Sequence, residues 1–124
     1  MHILIVADEA EEIATLKRGL RIKGHSVIEA AGAREAVHVL ARNRKGIDMV
    51  LTDYFMPDTS GIELLKTVRT NYGQLPVVLI TASGRQEQLT DDLRSGCNGF
   101  LEKPFSPEQL QTEIERVCSR SGPA

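Results

Sequence analysis

The strongest constraint on this chain is a strict alternation, end to end, of short β-rich apolar runs and stretches with helical spacing. "HILIVA" (His2 to Ala7) is apolar nearly throughout, as a strand is when both faces of its sheet are covered. Ile13, Leu16 and Leu20 then fall at helical spacing, and Gly24 marks the stop. "HSVIEA" reads as a second, weaker strand, and Ala33, Ala36, Val37, Leu40 and Ala41 form a second helical stripe ended by Gly46. "DMVLT" is a third strand that stops at Asp53, followed by a third helix on Ile62, Leu65 and Val68. "PVVLIT" is a fourth strand, with Pro76 at its first position, where a missing N–H is tolerated. Leu89 and Leu93 support a polar fourth helix before Gly96, and "GFLEK" is a short fifth strand. Ser106 caps a last helix with Pro107 at its first position and Leu110, Ile114 and Val117 on its apolar face. Five strands alternating with five helices imply right-handed crossovers, hence an α/β sandwich: one parallel sheet with helices on both faces.

A chain of 124 residues is the size of one domain, and we expect it to occupy residues 1–119, with 120–124 a tail or linker stub. The formal net charge of −2 gives no bulk attraction to nucleic acid or an anionic membrane. The one basic cluster, Arg42, Arg44 and Lys45, closes the second helix, where cations suit the negative end of the helix dipole. The apolar run in "MHILIVADEA" is too short for a signal peptide or a membrane span, so a cytoplasmic location is expected. Cys97 and Cys118 lack C-x-x-C spacing and read as free thiols, and His2, His25 and His38 lack metal-ligand spacing.

In a parallel sheet all C-terminal strand ends lie along one edge, and ligands bind there, in the crevice where the winding reverses. The residues just past strands one, three, four and five are Asp8, Asp53, Thr81 and Lys103. Singly, each has a plain explanation: Asp8 could cap the first helix, Thr81 is a good β-former, and Lys103 before a proline suits a surface. Asp53 is harder to dismiss, since it follows the buried run "MVLT" and a buried charge needs a partner. Two carboxylates at one crevice repel and so favour a hard cation, and oxygen donors with open positions suit Mg²⁺. An Asp carboxylate can also attack phosphorus to form an aspartyl phosphate, with hydroxyls and ammonium groups neutralising the phosphoryl oxygens.

The motifs "ILIVADE", "LTDYFMPDTSG", "VVLITAS" and "FLEKPFS", in this order and spacing, resemble the receiver domain of two-component response regulators over residues 2–119. The resemblance implies a flavodoxin-like, doubly wound (βα)5 sandwich with strand order 2-1-3-4-5. It implies that Asp53 is the phosphoacceptor and that Mg²⁺ is held by Asp8, Asp53 and the main-chain carbonyl of Phe55. Thr81 and Lys103 would contact the phosphoryl group, Thr81 and Phe100 would switch together, and the Lys103–Pro104 bond would be cis. The implied partners are a histidine kinase or phosphotransfer protein upstream and an effector domain or protein downstream, meeting the face of the fourth helix, fifth strand and fifth helix. The resemblance also allows a phosphorylation-linked dimer. No turnover of an external substrate is expected.

One departure bears on the chemistry. The family usually has two adjacent acids after strand one, and here the first is Ala7. Losing such metal support typically costs 10- to 100-fold in affinity, so a weakly bound Mg²⁺ and more Mg²⁺-demanding phosphorylation are expected. The alternative is a pseudo-receiver, an interaction module that no longer cycles phosphate.

Overall fold

The computed structural model describes residues 1–43, 46–53, 61–81 and 98–121. Strands β1 (His2–Val6), β2 (Ser26–Ala30), β3 (Met49–Asp53), β4 (Val77–Thr81) and β5 (Gly99–Glu102) form one sheet in the order β2-β1-β3-β4-β5. Every neighbouring pair is parallel. The helices among the described residues are α1 (Ala10–Ile22), α2 (Ala33–Arg42), α3 (Gly61–Tyr72) and α4 (Pro107–Ser121). The last is the fifth helix expected from the sequence; the expected fourth, around Leu89 and Leu93, lies outside the described residues.

The pleat sorts each strand into two faces. Leu4, Val6, Val50, Val77 and Leu79 pack with the buried residues of α2 and α3. Ile3, Ile5, Met49, Leu51, Val78, Ile80 and Leu101 pack with Leu16 and Leu20 of α1 and Leu110, Ile114 and Val117 of α4. β3 and β4 are buried at all five positions, which is why their sequences are apolar without alternation.

Helix ends follow local chemistry. Gly24, at φ +88°, takes the left-handed turn that carries the chain from α1 into β2. α2 stops at Arg42 with Asn43 as its cap, earlier than the Gly46 expected from sequence; the Asn43 amide side chain donates to the Val39 carbonyl at 3.0 Å and so satisfies a terminal acceptor. At the start of α4, Gln109 N–H donates to Ser106 Oγ (3.1 Å) and Ser106 N–H donates to Gln109 Oε1 (2.8 Å), a reciprocal cap.

Asn98 fastens the edge strand to the rest of the sheet. Its N–H donates to the Val77 carbonyl at 2.8 Å, and its Oδ1 accepts from Val77 N–H at 2.9 Å and from the Arg69 guanidinium. Arg69 also donates to the carbonyls of Gly73 and Leu75, so one side chain ties α3, the turn after it and β5 together. Asn98→Ala removes the acceptor and leaves a half-buried N–H and a guanidinium short of a partner. We expect it to cost about 1–3 kcal/mol, read from the urea midpoint.

Candidate functional site

The strand order reverses between β1 and β3, since β1 has β2 on one side and β3 on the other. The crevice at their C-terminal ends is therefore the ligand edge of the sheet. Val6 is in register with Thr52, so Ala7 and Asp53 come next to each other just beyond the last paired residues. Alternation puts Ala7 after Ile3 and Ile5, and Asp53 after Met49 and Leu51, on the face covered by α1 and α4.

Asp53 is only 4% exposed. Lys103, just past β5, brings its ammonium 3.4 Å from Asp53 Oδ1. The same ammonium lies 2.7 Å from Glu12 Oε1, so it is shared and sits closer to Glu12. The Lys103 backbone N–H donates to the Thr81 carbonyl at 2.8 Å, which fixes where its side chain starts, and the Lys103–Pro104 bond is cis as expected. Thr81 is buried. Asp53 Oδ1, Glu12 Oε1 and Thr81 Oγ are all buried without a well-directed hydrogen bond among the described residues. The two carboxylate oxygens face the Lys103 ammonium, which leaves Thr81 Oγ, among the described residues, as the buried polar atom with neither an ion pair nor a hydrogen bond, where such atoms are normally satisfied.

Charge follows the geometry. Burial, and next the contact and charge of Glu12, push the Asp53 carboxyl up from 3.8 to about 8, with Lys103 opposing. Burial pulls the Lys103 ammonium down, but its contacts with Glu12 and Asp53 outweigh this and hold it above the usual lysine value.

Asp8 follows β1, exposed, at the mouth of the crevice. It does not cap α1: Glu9 occupies that position and makes no side-chain capping bond. Phe100 is half-buried and packs with the core beneath α2 and α3. It is in register with Leu79, and Thr81 lies two residues beyond Leu79, so alternation gives Thr81 and Phe100 the same face of the sheet. Phe55 lies outside the described residues, as does Cys97; Cys118 is a free thiol.

Glu12 is the site residue that reading the strand ends missed, because it comes from a helix. A signal existed: Glu12 precedes Leu16 and Leu20 by one and two helical turns, so it continues the buried stripe of α1. Its neighbour Glu11 is exposed, as first-turn acids usually are.

The donors suit Mg²⁺ in kind. They are hard carboxylate oxygens, and the ammonium between Asp53 and Glu12 shows that the pocket takes a cation. Among the described residues no three His, Cys, Asp or Glu side chains are already gathered around one point. Also among the described residues, no helix is long and apolar enough to cross a membrane.

The chain is similar to many known proteins. The phosphate regulon transcriptional regulatory protein PhoB of Pseudomonas aeruginosa is 33% identical over 123 residues; the match covers 98% of this chain but only 53% of PhoB. A chemotaxis protein CheY homologue of Campylobacter jejuni is 32% identical, with 94% of this chain and 92% of that protein covered. The receiver domain structure from Clostridium thermocellum superposes with a TM-score of 0.88 at 27% identity, covering 96% of this chain and 94% of that one. A probable two-component system response regulator/GGDEF domain protein also superposes at 0.88, with 32% identity over 98% of this chain and 50% of that one. Residues 3–115 match the model of the response regulator receiver domain. With its sheet order, its crevice and these matches in agreement, this chain belongs to the response regulator receiver domain family.

Proposed function

We propose that this domain is a phosphorylation-dependent signalling switch whose acceptor is Asp53. The observation that carries the reading is a buried carboxylate at the sheet's reversal point, 3.4 Å from a lysine ammonium, with a buried threonine hydroxyl at the end of the neighbouring strand. A carboxylate oxygen of Asp53 attacks the phosphorus of a phosphohistidine on a kinase or phosphotransfer protein. A P–O bond forms, the P–N bond breaks, and its electron pair returns to the imidazole nitrogen. Lys103 and Thr81 are the groups at hand to meet the phosphoryl oxygens.

Asp8 and Asp53, with the Phe55 carbonyl, would hold Mg²⁺, which when bound neutralises charge on the transferring phosphoryl group. A carboxyl pushed up to about 8 is mostly protonated at neutral pH, and only its ionised form is a nucleophile. Lys103 therefore also prepares the acceptor, because its positive charge favours the ionised form. Because Thr81 and Phe100 share a sheet face, an inward move of Thr81 has a direct route to the Phe100 rotamer. The change would reach the surface made by β5, α4 and the expected helix around Leu89 and Leu93, where an effector or a second copy docks. The domain would work in the cytoplasm and turn over no external substrate.

The test is incubation with Mg²⁺ and acetyl phosphate followed by intact-mass measurement. A gain of one phosphoryl group that disappears in Asp53→Ala is expected. The buried, apolar Ala7 beside Asp53 favours one second reading, a receiver-shaped interaction module. Labelling of Ala7→Asp but not of the wild type would establish that reading instead.

A further inference from the structure

We propose that Glu12 supplies, from helix α1, the second acidic group that Ala7 leaves out of the cation site beside Asp53. The inference rests on the reading of that crevice as the Mg²⁺-dependent acceptor site. Its basis is positional. Ala7 lies on the same sheet face as Asp53, beside it, and is fully buried, so position 7 offers a methyl where an acid would otherwise face the acceptor. The same face is covered by α1 through Leu16 and Leu20.

Glu12, four residues before Leu16, continues that stripe and brings its carboxylate to the ammonium that also faces Asp53. Its side chain is 13% exposed, and its buried Oε1 lies 2.7 Å from the Lys103 ammonium. A first-turn acid that only served the helix dipole would stay in water, as Glu11 does. A longer side chain from a helix thus replaces a shorter one from the strand end. The cation now resting on Glu12 is Lys103; a divalent ion entering the crevice takes that place on Glu12 and leaves Lys103 to Asp53.

The experiment is a titration of the whole chain with Mn²⁺ alone, as an oxygen-seeking stand-in for Mg²⁺, following the signal of the free aqua ion by electron paramagnetic resonance. Wild type is compared with Glu12→Gln, Asp53→Asn and Ala7→Asp/Glu12→Gln, each checked for the native circular dichroism spectrum. Glu12→Gln should bind 10- to 100-fold more weakly, the range for losing an acid that supports a metal, and Ala7→Asp/Glu12→Gln should regain most of that loss. Equal or tighter binding by Glu12→Gln, with Asp53→Asn weakened, overturns the role of Glu12 and leaves the acceptor site standing. Binding that Asp53→Asn leaves unchanged overturns the acceptor-site reading and this inference with it.

Discussion

In the absence of divalent metal, Asp53→Asn is expected to be more stable than the wild type at pH 8, by about 2–4 kcal/mol, and to lose its advantage as the pH falls toward 4. The Asp53 carboxyl titrates near 3.8 when unfolded and near 8 when folded. Between those values the folded chain retains a proton that the unfolded chain has released, so folding binds a proton and stability falls as pH rises. This group therefore imposes no penalty below about pH 4, a growing one from 4 to 8, and its full penalty above 8. At about 1.36 kcal/mol per unit, a shift of roughly four units bounds the cost near 6 kcal/mol. The expected figure is smaller because Asp53, Lys103 and Glu12 titrate together.

Asparagine keeps the shape and the oxygen but cannot ionise, so it escapes the penalty. Urea unfolding in chelator at pH 5 and pH 8 reads the effect as a difference between two slopes. Parallel pH profiles for the two proteins would show that Asp53 carries no such penalty. With differing slopes the site is held at a cost in stability, which on the proposed function a bound cation or phosphoryl group would relieve. A receiver tuned in this way is less stable at rest than its core alone would allow.

Gly99→Val is expected to destabilise the fold by about 2–4 kcal/mol with an unchanged urea dependence. A Cβ at Gly99 would lie 2.5 Å from Glu113 Oε2 and 2.8 Å from Val117 Cγ2. The Glu113 carboxylate ends a flexible side chain and can move, but only by giving up its 2.9 Å bond from Phe100 N–H and its pairing with Arg116. Val117 cannot swing away in the same manner, because it is buried and its branched side chain is fixed close to the helix. Adding Cβ at 99 therefore lifts α4 off β5. Overpacking costs about 1–3 kcal/mol, and loss of the bond at Phe100 N–H about 1 kcal/mol more. Alanine should show the smaller part of the effect, because it adds the Cβ without the branches. A valine variant with the wild-type midpoint would mean that α4 can shift without loss.

Most of the architecture was legible because it rests on local patterns. Solid apolar runs identified β3 and β4 as strands buried on both faces, and Pro107 after Ser106 marked the start of the last helix. Helix ends were less legible: α2 stops at Arg42, capped by Asn43, whose side chain donates to the Val39 carbonyl, ahead of the glycine that looked like the stop. Of the four strand-end residues, the structure joins Asp53 and Lys103 directly, buries the Thr81 hydroxyl and leaves Asp8 exposed at the crevice mouth.

By itself the sequence determined the strands, their parallel arrangement and hence the residues gathered along one sheet edge, since hydrophobic period and crossover handedness are properties of neighbours in the chain. Tertiary structure alone decided that Glu12 leans into the crevice beside Asp53, that Lys103 sits closer to it than to Asp53, and that Gly99 has no room for a side chain. Those outcomes depend on how far one helix lies above one strand, a distance set by packing between segments far apart in the chain, as Glu12 and Lys103 are.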